Sequence, residues 1–111
     1  MKVCAVIPAY NEEATIGPII QETRKYIDAV FVVNNGSTDN TASIAREFGA
    51  NVIDFNAKRG YGAAQHAGQQ FAINKGYEYI LQLDADGQHN PAYIPKLLAA
   101  MHNSDYDIVL G

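Results

Sequence analysis

Two carboxylates two residues apart, Asp84 and Asp86, follow the apolar run Ile80-Leu81-Gln82-Leu83 and lead into Gly87-Gln88-His89. A strand ending in such a pair presents hard oxygen donors at its mouth. Hard oxygens suit Mg2+ or Mn2+, which are typically held by one or two carboxylates together with substrate phosphates. The ligand implied is a metal-bridged diphosphate. Gln88 is either a further neutral oxygen for the metal or a solvent-facing side chain, and Asp-Gly is also a common turn pair, so a plain turn competes with the metal reading. An EF-hand calcium loop does not fit, because counting from Asp84 puts His89 where that loop needs Gly and Pro95 where it needs a bidentate Glu.

Two further segments carry polar groups in patterns that suit ligands. Asn34-Asn35-Gly36-Ser37 offers amides that hydrogen-bond a base or ribose, with Gly36 allowing close backbone approach, but the same residues are what a capped strand-to-helix turn is made of. Lys58-Arg59-Gly60-Tyr61-Gly62 enters a helix with two cations and exposed amides, as a phosphate-binding turn would. It lacks the GxxxxGK[ST] spacing of a P-loop, and a solvated loop remains the competing reading. His66, His89 and His102 lie in different elements without a metal-ligand spacing; His66 and His102 read as surface residues, while His89 lies near the acidic loop. No GxSxG elbow is present, and no GxGxxG follows the first apolar run, which argues against serine hydrolase and nicotinamide-binding chemistry.

The elements that position these groups follow from hydrophobic patterning. Residues 3–7, 29–33, 51–55 and 79–83 form short strand-like runs, the first closed by Pro8, and 107–110 begins a fifth. Between them lie helical patterns. The first has Thr15 as a candidate N-cap and apolar Ile16, Ile19, Ile20 and Tyr26. The second begins near Asn40, with Asp39 or Thr38 available as its cap, carries Ile44, Ala45 and Phe48, and stops at Gly49. The third covers 63–75 and stops at Gly76, and a fourth covers 91–102 with Pro95 starting its main part. This alternation predicts an α/β fold, a Rossmann-like parallel sheet flanked by helices. Ligands in such sheets bind outside the carboxyl ends of the strands, where the segments at Pro8–Glu12, Asn34–Asp39, Arg59–Gly62 and Asp84–Gln88 all fall.

Composition sets the outer bounds. The 111 residues suit one domain, 48% hydrophobic and 18% charged residues describe a globular chain, and no apolar run approaches the roughly 20 residues of a membrane span. The start lacks the apolar stretch of a secretory signal, so a cytoplasmic location is expected. Cys4, mid-strand, reads as a small buried hydrophobe, which excludes a disulfide framework. A net charge of −4 with scattered Lys and Arg provides no basic stripe, so nucleic acid is not an expected partner.

Taken together, Val6-Ile7-Pro8-Ala9-Tyr10-Asn11-Glu12-Glu13, Asn35-Gly36-Ser37-Thr38-Asp39-Asn40-Thr41, Gly60-Tyr61-Gly62-Ala63-Ala64 and Leu83-Asp84-Ala85-Asp86-Gly87-Gln88-His89 resemble the family-2 glycosyltransferases, in particular the polyprenyl-phosphate mannosyl- and glucosyltransferases. The resemblance covers essentially the whole chain. It implies a GT-A fold truncated at the C-terminus, with residues 1–111 forming the nucleotide-sugar-binding part of a catalytic domain. It also implies metal-dependent transfer of a sugar from a UDP- or GDP-sugar donor to an acceptor, whether a lipid phosphate, a saccharide or a protein. On that resemblance Pro8, Ala9, Tyr10, Glu12, Asn34, Asn35, Ser37, Arg59, Gly62 and Ala85 bind the donor. Asp84 and Asp86 are the family's DxD pair and the catalytic residues, and Asp86 with Gln88 holds Mg2+ or Mn2+.

The chain departs from the family pattern in two places. The family usually shows Asp-Asp-Gly-Ser where this sequence has Asn34-Asn35-Gly36-Ser37, and an amide, being donor and acceptor at once, matches a uracil edge better than a guanine edge. A mild preference for UDP donors follows. The family also continues past the strand that begins at Asp107, into the segment that carries the acceptor pocket and catalytic base. An edge and face left uncovered there would favour self-association, and a lipid acceptor would bring the chain to the cytosolic membrane face. Two other readings stand beside the transferase: a non-catalytic nucleotide-sugar-binding module, and a haloacid-dehalogenase-type phosphatase using Asp84 and Asp86. The latter lacks the Thr expected at Gln88 and the downstream Lys and acidic pair.

Overall fold

The computed structural model describes residues 2–83, 85, 95 and 108–110. Along them run β1 (Val3–Ala9), α1 (Ile16–Thr23), β2 (Ala29–Asn35), α2 (Thr41–Glu47), β3 (Asn51–Phe55), α3 (Tyr61–Asn74), β4 (Tyr79–Gln82) and β5 (Ile108–Leu110). The expected alternation is present, and the strands pair in parallel in the order β3-β2-β1-β4-β5. Of the helix expected over 91–102, only Pro95 is described, in helical conformation and exposed.

β1 explains why the strands read as unbroken apolar runs. It pairs with β2 from Cys4↔Ala29 to Ala9↔Asn34 and with β4 from Val3↔Tyr79 to Val6↔Gln82. Side chains alternate across a strand, so a sheet covered on both faces needs apolar residues at successive positions. Ala5, Ile7 and Ala9 join Val30, Val32 and Leu81 in one core, with Ile16 and Ile20 of α1. Cys4 and Val6 join Phe31, Val33 and Ile80 in the other, with Ala64 and Ala72 of α3. Cys4 is fully buried, and burial pushes its thiol up to about 12, so it is a packing residue and not a reactive one.

The two cores follow from the winding. From β1 the chain steps through β2 to the edge at β3, then returns past β1 to β4. With right-handed crossovers, a reversal of direction puts the crossing helix on the opposite face, which is where α3 packs. α3 lies close because its sheet-facing side chains are small, Ala64, Gly68 and Ala72. A Cβ on Gly68 would stand 2.4 Å from Val6 Cγ1 and 2.9 Å from Val33 Cγ2.

Local details differ from the sequence reading. β1 and β2 run two residues beyond the expected ends, to Ala9 and Asn35, so Asn34 and Asn35 sit inside the sheet opposite Asp54 and Phe55. α1 ends at Thr23; Tyr26 therefore falls out of helical phase and is 42% exposed, while Ile27 fills the core position. α3 starts at Tyr61, two residues early. His66 is exposed, as expected.

Replacing Gly68 with Ala should therefore destabilise the fold by about 1–3 kcal/mol through overpacking against Val6 and Val33. Gly62→Ala, with nothing within 4 Å of its Cβ, should be neutral or raise stability by up to about 1 kcal/mol. Urea unfolding of both variants checks the pair, and equal stability of Gly68→Ala and wild type would refute the close approach.

Candidate functional site

The order β3-β2-β1-β4-β5 leaves a crevice at the carboxyl end of β1, where the chain winds away to one side through β2 and to the other through β4. A cavity of about 510 Å³ lies there, lined by Pro8, Ala9, Tyr10, Glu12, Asn35, Lys58, Arg59, Gly60, Tyr61 and Ala85. Four separate connections thus contribute to one wall. Of the residues expected to bind a nucleotide-sugar, Pro8, Ala9, Tyr10, Glu12, Asn35, Arg59 and Ala85 are brought together in it. Asn34, Ser37 and Gly62 do not line it. Asp84, Asp86 and Gln88 lie outside the described residues, and Ala85 between the two carboxylates is the part of that motif seen at the pocket. Lys58 and Tyr61 are lining residues that the sequence reading did not single out, although both belong to the loop it flagged.

The loop after β1 is laced to the loop after β2. Asn11 takes a left-handed φ of 51°, donates its amide to Ser37 Oγ at 3.0 Å and accepts the Thr38 amide on Oδ1 at 2.8 Å. Asn is among the few side chains that tolerate this conformation. The Glu12 amide donates to Thr41 Oγ1 at 2.9 Å, the Glu13 amide to Asp39 Oδ2 at 3.3 Å, and the Asn40 amide to Glu13 Oε2 at 3.1 Å. Asp39 also accepts from the Thr41 amide, at 3.0 Å, and from the Thr41 hydroxyl. Burial raises the Asp39 carboxyl, but the bonds from Thr41 and from the Glu13 amide outweigh it and hold its pKa below the ordinary value. Ser37 and Asp39 thus hold the walls of the pocket.

The two asparagines play different structural parts. Asn34 Nδ2 donates to Asp54 Oδ1 at 2.9 Å across to β3, and its Oδ1 accepts the Ser37 amide at 3.2 Å. Asp54 also accepts from Arg46, and the Asn34 amide, opposed by burial and aided by that guanidinium, holds the Asp54 carboxyl below the ordinary value. Asn35, 5% exposed, makes a reciprocal pair with the Arg59 backbone: Nδ2 donates to its carbonyl and Oδ1 accepts its amide, both at 2.7 Å. This amide imitates a strand partner and fastens the loop after β3 to the end of β2. Gly36, at φ 73°, lets the two segments meet, since a Cβ there would stand 2.4 Å from the Lys58 amide nitrogen. The amide expected to read a base edge therefore has two of its hydrogen-bonding positions taken up by the protein.

Anchoring of this loop brings its cations to the pocket. Lys58 Nζ lies 4.2 Å from the centre of the Tyr10 ring and the Arg59 guanidinium 4.4 Å from that of Phe55. The described lining holds these two cations and one carboxylate, Glu12, so this end of a chain of net charge −4 suits an anion. Among the described residues no cluster of three or more His, Cys, Asp or Glu side chains could hold a metal ion.

The sequence profile described as Glycosyl transferase family 2 matches residues 4–111. The chain is 40% identical over 116 residues to an uncharacterised protein of Methanocaldococcus jannaschii, covering 96% of this chain and 50% of the relative. It is 31% identical over 118 residues to the undecaprenyl-phosphate mannosyltransferase of Micrococcus luteus, covering all of this chain and 48% of that enzyme. Among solved structures, glucosyl-3-phosphoglycerate synthase from Mycobacterium tuberculosis, in complex with Mn2+, UDP-glucose and phosphoglyceric acid, matches with a TM-score of 0.77 at 25% identity, over 94% of this chain and 40% of that one. The chain spans about half the length of the curated relatives it matches.

The lacing of the loops has a pH signature. Asp39 and Asp54 titrate lower in the folded than in the unfolded chain, so their stabilisation is complete above the unfolded value of 3.8 and is lost as pH falls through the depressed folded values. Urea midpoints should accordingly drop below about pH 4. Asp39→Asn should lower the midpoint at neutral pH and flatten the acid drop, whereas a profile parallel to wild type would show that Asp39 does not hold these loops as a carboxylate.

Proposed function

This chain belongs to glycosyl transferase family 2 and has its GT-A fold, and on that premise we propose that residues 1–111 are the donor-binding part of a catalytic domain that transfers a sugar from a nucleotide-diphospho-sugar. The observation that carries the reading is the convergence of four connections on one pocket at the reversal point of the sheet, with Lys58 and Arg59 on its wall. Membership of the family sets aside the dehalogenase-type phosphatase.

In this reading Pro8, Ala9 and Tyr10 pack against the nucleoside, Asn35 holds the wall on which it rests, and Lys58 and Arg59 offset the charge of the diphosphate. Glu12 is oriented through its backbone bond to Thr41 and accepts from the donor's hydroxyl groups. Ala85 on the pocket wall brings its sequence neighbours Asp84 and Asp86 to the same place, and these, with Gln88, are the hard oxygen donors that fit Mg2+ or Mn2+. Held by Asp86 and Gln88, the cation supplies Lewis-acid neutralisation of the charge that develops on the departing nucleoside diphosphate. Water exclusion and orientation of the sugar fall to the residues around the pocket.

UDP is the donor nucleotide favoured here. The support is the complex of the mycobacterial synthase with UDP-glucose, together with the absence of the two carboxylates that Asn34 and Asn35 replace. The acceptor follows the mannosyltransferase relative, an undecaprenyl phosphate, or another phosphorylated or saccharide acceptor. A lipid acceptor places the reaction at the cytosolic membrane face, and among the described residues no helix is long and apolar enough to cross a membrane.

Calorimetric titration of the 111-residue chain with UDP and with GDP, each with and without excess Mn2+, tests the reading. UDP should bind more tightly with Mn2+, and Asp86→Ala should abolish that gain. Arg59→Ala should weaken binding by about 10-fold or more, the usual worth of a charge-assisted contact. A chain that is folded by circular dichroism and binds neither nucleotide would overturn the proposal.

A further inference from the structure

Thr15 stands immediately before α1, where a threonine ordinarily turns its hydroxyl onto the first amides of its own helix. It makes no such bond. Its Oγ1 donates instead to the carbonyl of Ala85, 70 residues further on, at 2.5 Å, with the Glu12 carbonyl and Oε2 more distant at 3.4 and 3.3 Å. A hydroxyl has one proton to give, and the short contact shows where it goes. The methyl of Ala85 is meanwhile buried, 3% exposed, in the core that includes Ile16 and Leu83. Ala85 is thus held by its side chain on one side and by its carbonyl on the other.

The carbonyl of Ala85 and the amide of Asp86 belong to one rigid peptide plane, so fixing the first fixes the orientation in which the second residue leaves it. We propose that Thr15 is a positioning residue for the acidic pair: its hydroxyl sets the Ala85–Asp86 peptide and, through it, the metal-dependent part of diphosphate binding. The inference rests on the donor-binding reading above for its consequence, but not for the contact itself. A helix-capping role accounts for none of it, since the cap bond is absent. Groups that hold ligating carboxylates in place commonly contribute as much to metal affinity as this role requires.

The test compares Thr15→Val, which keeps the shape and loses the hydroxyl, with Thr15→Ser, which keeps the hydroxyl; Thr15→Ala replaces the valine variant if that chain does not fold. UDP is titrated with and without Mn2+. Thr15→Val should bind UDP alone within about 2-fold of wild type, while its Mn2+-dependent gain falls by about 10- to 100-fold. Thr15→Ser should recover the gain. Equal loss of metal-free and metal-dependent binding would mark Thr15 as merely structural, and an undiminished gain would refute the proposal outright. Amide hydrogen exchange without ligand decides the contact independently: exchange at Asp86 should quicken several-fold in Thr15→Val but not in Thr15→Ser, with β1 and β4 unaffected, and unchanged exchange at Asp86 overturns the positioning role. Absence of any Mn2+ gain in wild type would instead count against the donor-binding reading, leaving the exchange result to judge Thr15.

Discussion

β1 has a strand on each edge and a helical layer on each face, and the rest of the molecule is arranged around that confinement. A strand so enclosed exposes no polar side chain until it leaves the sheet, because an unpaired polar group inside would cost more than a small fold can spare. Its first polar positions therefore occur together, at Tyr10 to Glu13, beside the ends of β2 and β4. The reversal of winding at β1 leaves no connection across that end, and the cavity is the space that results.

What surrounds the cavity is ordered by hydrogen bonds between loops far apart in sequence. Asn11, Ser37, Thr38, Asp39 and Thr41 hold the first two connections to each other, and Asn35 holds the third to the second. Among the described residues no buried side-chain nitrogen or oxygen lacks a partner. The short polar residues mainly satisfy backbone groups that the ends of strands leave unpaired, and in doing so they bring Lys58 and Arg59 to the wall. A ligand therefore meets a preformed surface, which lowers the ordering cost of binding.

This division of labour suits a domain that binds a charged donor while other segments of a protein choose the acceptor. The mannosyltransferase and the phosphoglycerate synthase that resemble this chain carry names with different acceptors, and both match along this same region. A scaffold whose strand ends hold a diphosphate by geometry and charge does not itself have to specify where the sugar goes.

The amino-acid pattern alone determined the class of fold and the ends of the sheet at which chemistry would occur. Runs such as Val3 to Ile7 are apolar at every position, which only a strand covered on both faces requires, and Gly49 and Gly76 mark where helices stop. It also pointed to Pro8, Tyr10, Glu12, Arg59 and Ala85 as neighbours, because all four connections follow strands of one parallel sheet. It could not tell which polar side chains face a ligand and which hold the chain. Asn34 and Asn35 read as turn residues but lie within β2, where register puts one against Asp54 and the other against the loop at Arg59. Thr15 reads as a helix cap but bonds Ala85. Periodicity is a local property, set by which face a residue shares with its near neighbours. The partner of a hydrogen-bonding group is set by whichever distant segment the sheet order brings within about 3 Å of it, and only the tertiary structure decides that.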